Sequence, residues 1–357
     1  MIHLASPSIG DEEIAAVVAV LQSGMLAQGP EVAAFEEEFA AAFATGHAAA
    51  VSNGTMALVV ALQATGVKPG DEVIVPSFTF AATANAVALV GATPVFADID
   101  PATFCIDTRH VAALINGRTR AIIAVHLYGH MAPMHQLAEL AEDHNRALLE
   151  DAAQAHGAMR DGLGVGALGD LATYSFYPTK NMTTGEGGMV TGRDAELIGK
   201  VKLLRNHGME QRYHHDLIGT NARMTDIGAA IGRAQLRKLS GWNDRRREIA
   251  AIYDTHLSGM VTTPSVATAT IHVYHQYTIR SERRDDIIAR CRDHGVGYGI
   301  YYPIPCHRQK AFRNGVVPDL PETDRAADEV LSLPIRPDMT ESEIERVIDA
   351  VTKGAKS

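Results

Sequence analysis

Between residues 47 and 150 the chain alternates short apolar runs with helix-length segments, and no other feature narrows its folds as far. Strand-like runs are expected at 47–51, 72–75, 93–97, 121–126 and 147–150, with helix-like segments at 56–65, 80–89, 108–115 and 134–144 between them. Strands separated by helices build βαβ units, and a parallel sheet that is apolar on both faces must be covered on both. The chain therefore reads as an α/β protein with a mostly parallel sheet between helices. At Gly157 the order breaks, and glycine-rich turns lead into two more strand-like runs, 171–176 and 188–191. Helices follow at 195–205 and 225–239.

Two helices come first. One spans 11–22, with Asp11, Glu12 and Glu13 in its first turn, where the helix dipole favours acids. The other spans 31–43, and its Glu36, Glu37 and Glu38 read as a solvated face. A composition shift at Ser240-Gly241-Trp242, followed by a charged helix from Asp244 to about Ser258, marks an expected domain boundary. Residues 1–240 form the expected large domain and 241–357 a smaller C-terminal α+β domain, on which the N-terminal segment is a candidate to pack. The smaller domain holds a strand-like run at 271–280, helices at 285–294 and 341–352, and a proline-rich loop at 301–307.

Charge and cysteine content exclude several partners. With 32 Lys and Arg against 42 Asp and Glu, the formal net charge is −10, which disfavours nucleic acid or an anionic membrane. Cys105, Cys291 and Cys306 lack CxxC spacing, so neither a disulfide framework nor a zinc site is expected, and a reducing cytoplasm fits. No leader with a charged and then an apolar region opens the chain, and no apolar run reaches membrane-spanning length. Gly164 to Gly169 fits GxGxxG, but a strand follows where a dinucleotide fingerprint needs a helix. His126 and His130 are four apart without an HExxH motif, so no metal is expected there. His214-His215 reads as a surface loop.

The chemistry-bearing residues fall at expected C-terminal strand ends, where open parallel sheets bind ligands. Ser52-Asn53-Gly54-Thr55 opens a helix and is either an N-cap or a phosphate cradle of free backbone N–H groups. Pro76-Ser77-Phe78-Thr79-Phe80 offers aromatic rings, for the core or for stacking on a planar heterocycle. Asp151 is either another helix cap or a carboxylate facing a pyridine nitrogen, with Gln154 in reach of a ring hydroxyl. Lys180 lies in the loop between 176 and 188, after Pro178 and before Gly185, Gly187 and Gly188. It is a solvated loop lysine or, desolvated, a Schiff-base amine. Ser175 stands near it as a phosphate donor. One site explains all four stretches more simply than four unrelated structural roles.

Taken together these stretches resemble the DegT/StrS sugar aminotransferase family, fold-type I pyridoxal phosphate enzymes of the aspartate aminotransferase superfamily. The resemblance rests on residues 52–58, 76–83, 150–157, 175–180 with 185–188, 205–208 and 219–224, and more weakly on 302–307. It implies a large domain with a mostly parallel seven-stranded sheet and a small C-terminal domain. It implies that Gly54, Thr55 and Ser175 hold the cofactor phosphate, Phe80 stacks on the ring, Asp151 pairs with the ring nitrogen and Gln154 contacts the ring oxygen. Lys180 is then the Schiff-base lysine, and Asn221 reaches the phosphate of the neighbouring subunit, so that a homodimer shares its active sites. Relatives that dehydrate sugars carry histidine at the lysine position, so Lys180 argues for amino transfer.

The implied activity is conversion of a nucleotide-diphosphate keto-sugar to an amino sugar, with glutamate or glutamine as donor and pyridoxamine phosphate as the intermediate form of the cofactor. Arg205, His207, Arg223, Tyr302 and His307 are candidates to contact substrate. Tyr301 and Cys306 depart from the family's usual His and Leu, which bears on the identity of the sugar. The alternatives are a cyclitol ketone as substrate, a cofactor-binding regulatory protein without turnover, and a nicotinamide-dependent sugar oxidoreductase.

Overall fold

The computed structural model describes residues 1–313 and 317–352; the last residues of the second expected domain, 353–357, lie outside them. Nine strands come first: β1 (His47–Val51), β2 (Glu72–Pro76), β3 (Thr93–Ala97), β4 (Thr119–Val125), β5 (Ala147–Asp151), a short hairpin of β6 (Met159–Arg160) and β7 (Leu163–Gly164), then β8 (Leu171–Ser175) and β9 (Gly188–Gly192). Seven of them form one sheet in the order β1-β9-β8-β5-β4-β2-β3. The β2–β3, β2–β4, β4–β5 and β5–β8 pairs are parallel, and β9 runs antiparallel to both β1 and β8.

The period-2 alternation of a strand sorts its side chains between two cores. Val73 and Val75 of β2, Ile123 of β4, Leu149 of β5 and Val190 of β9 belong to one cluster. Ile74, Ile122, Leu148 and Met189 belong to the other. The first cluster is covered by α3 (Gly54–Ala64), α4 (Ala82–Leu89) and α7 (Ala195–Leu204). The second is covered by α2 (Pro30–Phe43), α5 (Thr108–Leu114), α6 (Met134–Asp143) and α8 (Asp226–Leu257). With both faces apolar, polar groups collect at the strand ends.

A third cluster gathers Ile2, the C-terminal part of α8, β13 (Tyr277–Arg280), β14 (Val330–Leu333), α9 (Arg284–Asp293) and α11 (Glu341–Thr352). The amide of Ile2 donates to Gly295 O at 2.8 Å. α1 (Asp11–Ser23) packs along α8, and α10 (Pro321–Glu329) has its N-terminal N–H groups at Glu322 and Thr323 capped by Asp98 at 3.1 and 2.7 Å.

Three expectations need correction. The break at Ser240-Gly241-Trp242 is absent: α8 runs unbroken for 32 residues, because Leu239, Asn243 and Arg246 are buried on either side and hold one helical face against the molecule. The strand at 271–280 is two pieces, β12 (Thr270–Ile271) and β13, since the amides of Val273 and Gln276 donate to Gly129 and Tyr128 carbonyls instead of a ladder. Glu36 is not a solvated acid. It is buried, accepts from Ala50 N at 2.9 Å and pairs with Arg205 and Lys202. Because β1 is an edge strand, its Ala50 N–H and C=O would otherwise stand unpaired; Glu36 takes the first and Arg205 donates to the second at 2.6 Å.

Helix continuity is open to a simple test. A Cβ added at Gly241 meets nothing within 4 Å. In an unbroken helix, Gly241→Ala is therefore expected to raise stability by about 0.5–1 kcal/mol in urea unfolding, since alanine loses less backbone entropy than glycine. Destabilisation by this substitution would place a turn there instead.

Candidate active site

The residues singled out from the sequence gather where β1, β2, β5 and β8 end. After β1 the chain turns into α3, whose cap Asn53 accepts from Met56 N at 2.9 Å. The cap satisfies one N–H and leaves those of Gly54 and Thr55 without an acceptor among the described residues, at the positive end of the helix dipole. Ser175, the last residue of β8, lies against this turn: a Cβ on Gly54 would stand 2.7 Å from Ser175 Cβ. A Cβ on Gly188 would stand 2.5 Å from Asn53 O. Glycine at 54 and 188 is thus what lets two strand ends and a helix N-terminus converge on a concave, N–H-lined cradle suited to phosphate.

Lys180 and Asp151 act on each other's charge in a desolvated setting. Burial pushes the Lys180 amine down to about 8, and the Asp151 carboxylate opposes that shift. No hydrogen bond or ion pair holds Lys180 Nζ among the described residues, and the lowered pKa makes part of it an unprotonated, nucleophilic amine near neutral pH. Burial pushes the Asp151 carboxyl above its usual range, while a hydrogen bond from Thr83, the Ala153 amide and the Lys180 charge work the other way. Thr83 Oγ1 donates to Asp151 Oδ2 at 2.8 Å and Ala153 N to Oδ1 at 3.2 Å.

Gln154 is oriented from both ends. Its Oε1 accepts from Tyr128 N at 2.6 Å and its Nε2 donates to the Tyr302 hydroxyl at 3.1 Å. Phe80 is 59% exposed, its ring centroid 5.9 Å from that of Tyr302, so it presents an open aromatic face at the mouth of the site. The cradle, Lys180, Asp151, Gln154, Tyr302 and Phe80 form one group, and their chemistry fits pyridoxal phosphate: N–H donors and a hydroxyl for the phosphate, a carboxylate for a ring nitrogen, and a free amine for an aldehyde.

Other expected residues lie elsewhere. Asn221, His207 and Arg223 belong to the segment after α7, which also carries a hairpin of β10 (Met209–Gln211) and β11 (His214–His215). Arg223 donates to Asn221 Oδ1 and Asn206 Oδ1, each at 3.1 Å, and the side chains of Asn221 and His207 are exposed. Arg205 and His307 do not offer themselves to substrate. Arg205 is buried and its Nη1 donates to Glu36 and to Ala50 O at the edge of β1. His307 is buried, with Nδ1 2.6 Å from Ser77 Oγ and Nε2 3.3 Å from Asp324 Oδ1. His126 is a structural residue: its Nε2 pairs with Glu150 at 2.8 Å and its Nδ1 accepts from Ala132 N.

Thr83, Tyr128 and Ser77 escaped the sequence reading. Thr83 and Ser77 lie within the motif 76–83, but nothing in one sequence says which hydroxyl meets which carboxylate across 68 residues.

The fold and the chemistry gathered at its strand ends fit one class, the α/β transferases that use pyridoxal phosphate. Residues 7–352 match the DegT/DnrJ/EryC1/StrS aminotransferase family, and the chain belongs to it. It is 43% identical over 350 residues to a dTDP-3-amino-3,4,6-trideoxy-alpha-D-glucose transaminase of Streptomyces venezuelae, covering 97% of this chain and 92% of that one. It is 42% identical over 345 residues to a UDP-N-acetyl-3-dehydro-alpha-D-glucosamine 3-aminotransferase of Acidithiobacillus ferrooxidans, covering 96% and 94%. The crystal structure of S. venezuelae DesV superposes with a TM-score of 0.94 at 43% identity, covering 97% of this chain and 95% of that one. Solved structural relatives include forms with the pyridoxamine cofactor bound, and this chain is a pyridoxal phosphate-dependent aminotransferase.

The state of Lys180 yields a direct expectation. Cofactor uptake by the apoprotein is expected to speed up as pH rises through about 8, because only the unprotonated amine attacks an aldehyde. Borohydride treatment followed by peptide mass spectrometry should find the cofactor on Lys180, and none in Lys180→Ala. An uptake rate that kept climbing well above pH 8 without levelling off would mean that the amine is not desolvated.

Proposed function

We propose that the chain aminates a nucleotide-diphosphate keto-sugar, dTDP-, UDP- or GDP-linked and carrying a 3- or 4-keto group, with L-glutamate as amino donor. The observation that carries the reading is the buried Asp151 opposite the desolvated Lys180 amine, beside an anion cradle. The names of the relatives, which act on UDP- and dTDP-linked sugars, support the substrate class. Pyridoxal phosphate, when bound, supplies an aldehyde carbon that accepts an amine and a ring that spreads the electron pair left by Cα–H cleavage.

The residues then have separate tasks. Gly54, Thr55 and Ser175 bind the phosphate and fix the ring's position. Asp151, ionised, holds a proton on the ring nitrogen and so keeps the ring electron-withdrawing. Gln154, oriented by Tyr128 and Tyr302, offers its amide to the ring oxygen. Phe80 covers one ring face. Lys180 Nζ anchors the cofactor between turnovers and, once displaced by the donor amine, carries the proton to and from the reacting carbon as base and acid.

The site is completed by a second copy of the chain. Phe80 and Tyr177 are 59% and 47% exposed, and Ile218, on the segment after α7, is 95% exposed; apolar side chains left so open suit burial between subunits. Asn221, exposed on the segment after α7, supplies the partner's cradle with an amide, and the half-buried Arg223 holds that amide's oxygen. Among the described residues no helix is long and apolar enough to cross a membrane. The proposed setting is the cytoplasm, where nucleotide sugars and glutamate are both at hand.

Two measurements test the reading. Product analysis against a panel of nucleotide-linked 3- and 4-keto-sugars with glutamate should find one amino sugar formed and 2-oxoglutarate released. Activity on a cyclitol ketone, with no turnover of any nucleotide sugar, would refute the substrate class. Mixing inactive Lys180→Ala with impaired Asn221→Asp should restore activity, because hybrid dimers hold one intact site. Failure of the mixture to exceed its components would mean that each chain builds its own site.

A further inference from the structure

We propose that Thr83, backed by Thr79, is a positioning residue that aims the Asp151 carboxylate and keeps it ionised. The inference rests on the aminotransferase reading above and adds a residue to it. Among the described residues the Asp151 carboxylate takes side-chain or backbone hydrogen bonds only from Thr83 and Ala153. An ionised carboxylate accepts and does not donate, so the single hydroxyl hydrogen of Thr83 is committed to Oδ2. Thr83 Oγ1 is then free only to accept, and Thr79 Oγ1 lies 3.0 Å away. The direction of donation follows as Thr79 to Thr83 to Asp151. All three side chains are buried, at 3%, 1% and 6% exposure, so water does not substitute for a missing donor.

The outer end of this relay is also fixed. Thr79 O accepts from Cys306 Sγ at 3.5 Å, Cys306 N donates to Ser77 O at 3.0 Å, and His307 N donates to Ser77 Oγ at 3.1 Å. The 302–307 loop thus meets the site twice, through Tyr302 on Gln154 and through residues 77–79 on Asp151. Three other titratable groups bear on Asp151: Lys180 after β8, His126 at the end of β4, and Tyr302 from this loop. None of them hydrogen-bonds its carboxylate, so Thr83 alone among side chains sets its direction.

The test compares Thr83→Val, which keeps the shape and loses the hydroxyl, with Thr83→Ser, which keeps the hydroxyl, and uses Asp151→Asn as control. In the apoprotein the sign follows from linkage. A carboxyl that protonates more readily folded than unfolded withdraws stability as pH rises through its range. Loss of the Thr83 donor widens that gap, so Thr83→Val should lose more Tm than the wild type as pH rises from about 4 toward neutrality, and Thr83→Ser should not. In the holoenzyme Thr83→Val should lower kcat about ten-fold or more, with the serine variant within about three-fold of wild type. Equal losses in the valine and serine variants, or a valine variant like wild type in both readouts while Asp151→Asn is inactive, would overturn the role of Thr83. An active Asp151→Asn would instead overturn the reading on which it rests.

Discussion

A lysine amine and an aspartate carboxylate, both withdrawn from water at the end of one sheet, are the constraint around which this molecule is arranged. Each is costly alone in an apolar setting, and each moderates the cost of the other. The arrangement needs a scaffold that excludes water on both sides and still leaves an open edge. A parallel sheet sandwiched between helices meets that need: its faces are closed by α2, α6 and α8 on one side and α3, α4 and α7 on the other, and its strand ends stay accessible.

The surrounding hydrogen bonds serve direction more than stability. Gln154 is fixed at both ends of its amide, Asp151 receives a hydroxyl and an amide, and Asn53 caps α3 so that the next free N–H groups face outward. Preorganised dipoles of this kind cost no rearrangement when charge develops on a bound group. Among the described residues Lys180 is the exception, with no partner at Nζ, and that freedom suits the Schiff-base role proposed for it.

Much of this was legible in the sequence, for physical reasons. Strands buried on both faces are apolar throughout, so β1 to β5, β8 and β9 were found to within two residues at each end. The Gly54 cradle, Asp151 and Lys180 stand at strand ends and betray themselves through glycine, proline and carboxylate placement. Less legible was anything decided across long sequence separations. The burial of Glu36 depends on the edge of β1 and on Arg205, which lies 169 residues away. β14 is only four residues long, and α10, though amphipathic, is short and has its start fixed by Asp98 far upstream. Gly241 reads as a breaker, yet in a helix packed on both sides the propensity cost of one glycine, about 1 kcal/mol, is small beside burial of Leu239 and its neighbours.

That unbroken α8 has a mechanical meaning. At about 1.5 Å per residue it is a rod of about 48 Å, rooted among the sheet's helices at one end and in the C-terminal cluster at the other. A rod shared by two bodies resists their folding toward each other like a hinge, and leaves twisting about its own axis as the softer motion. Admission of a bulky keto-sugar is then a matter for loops beside the shaft, above all 301–307, which meets the site through Tyr302.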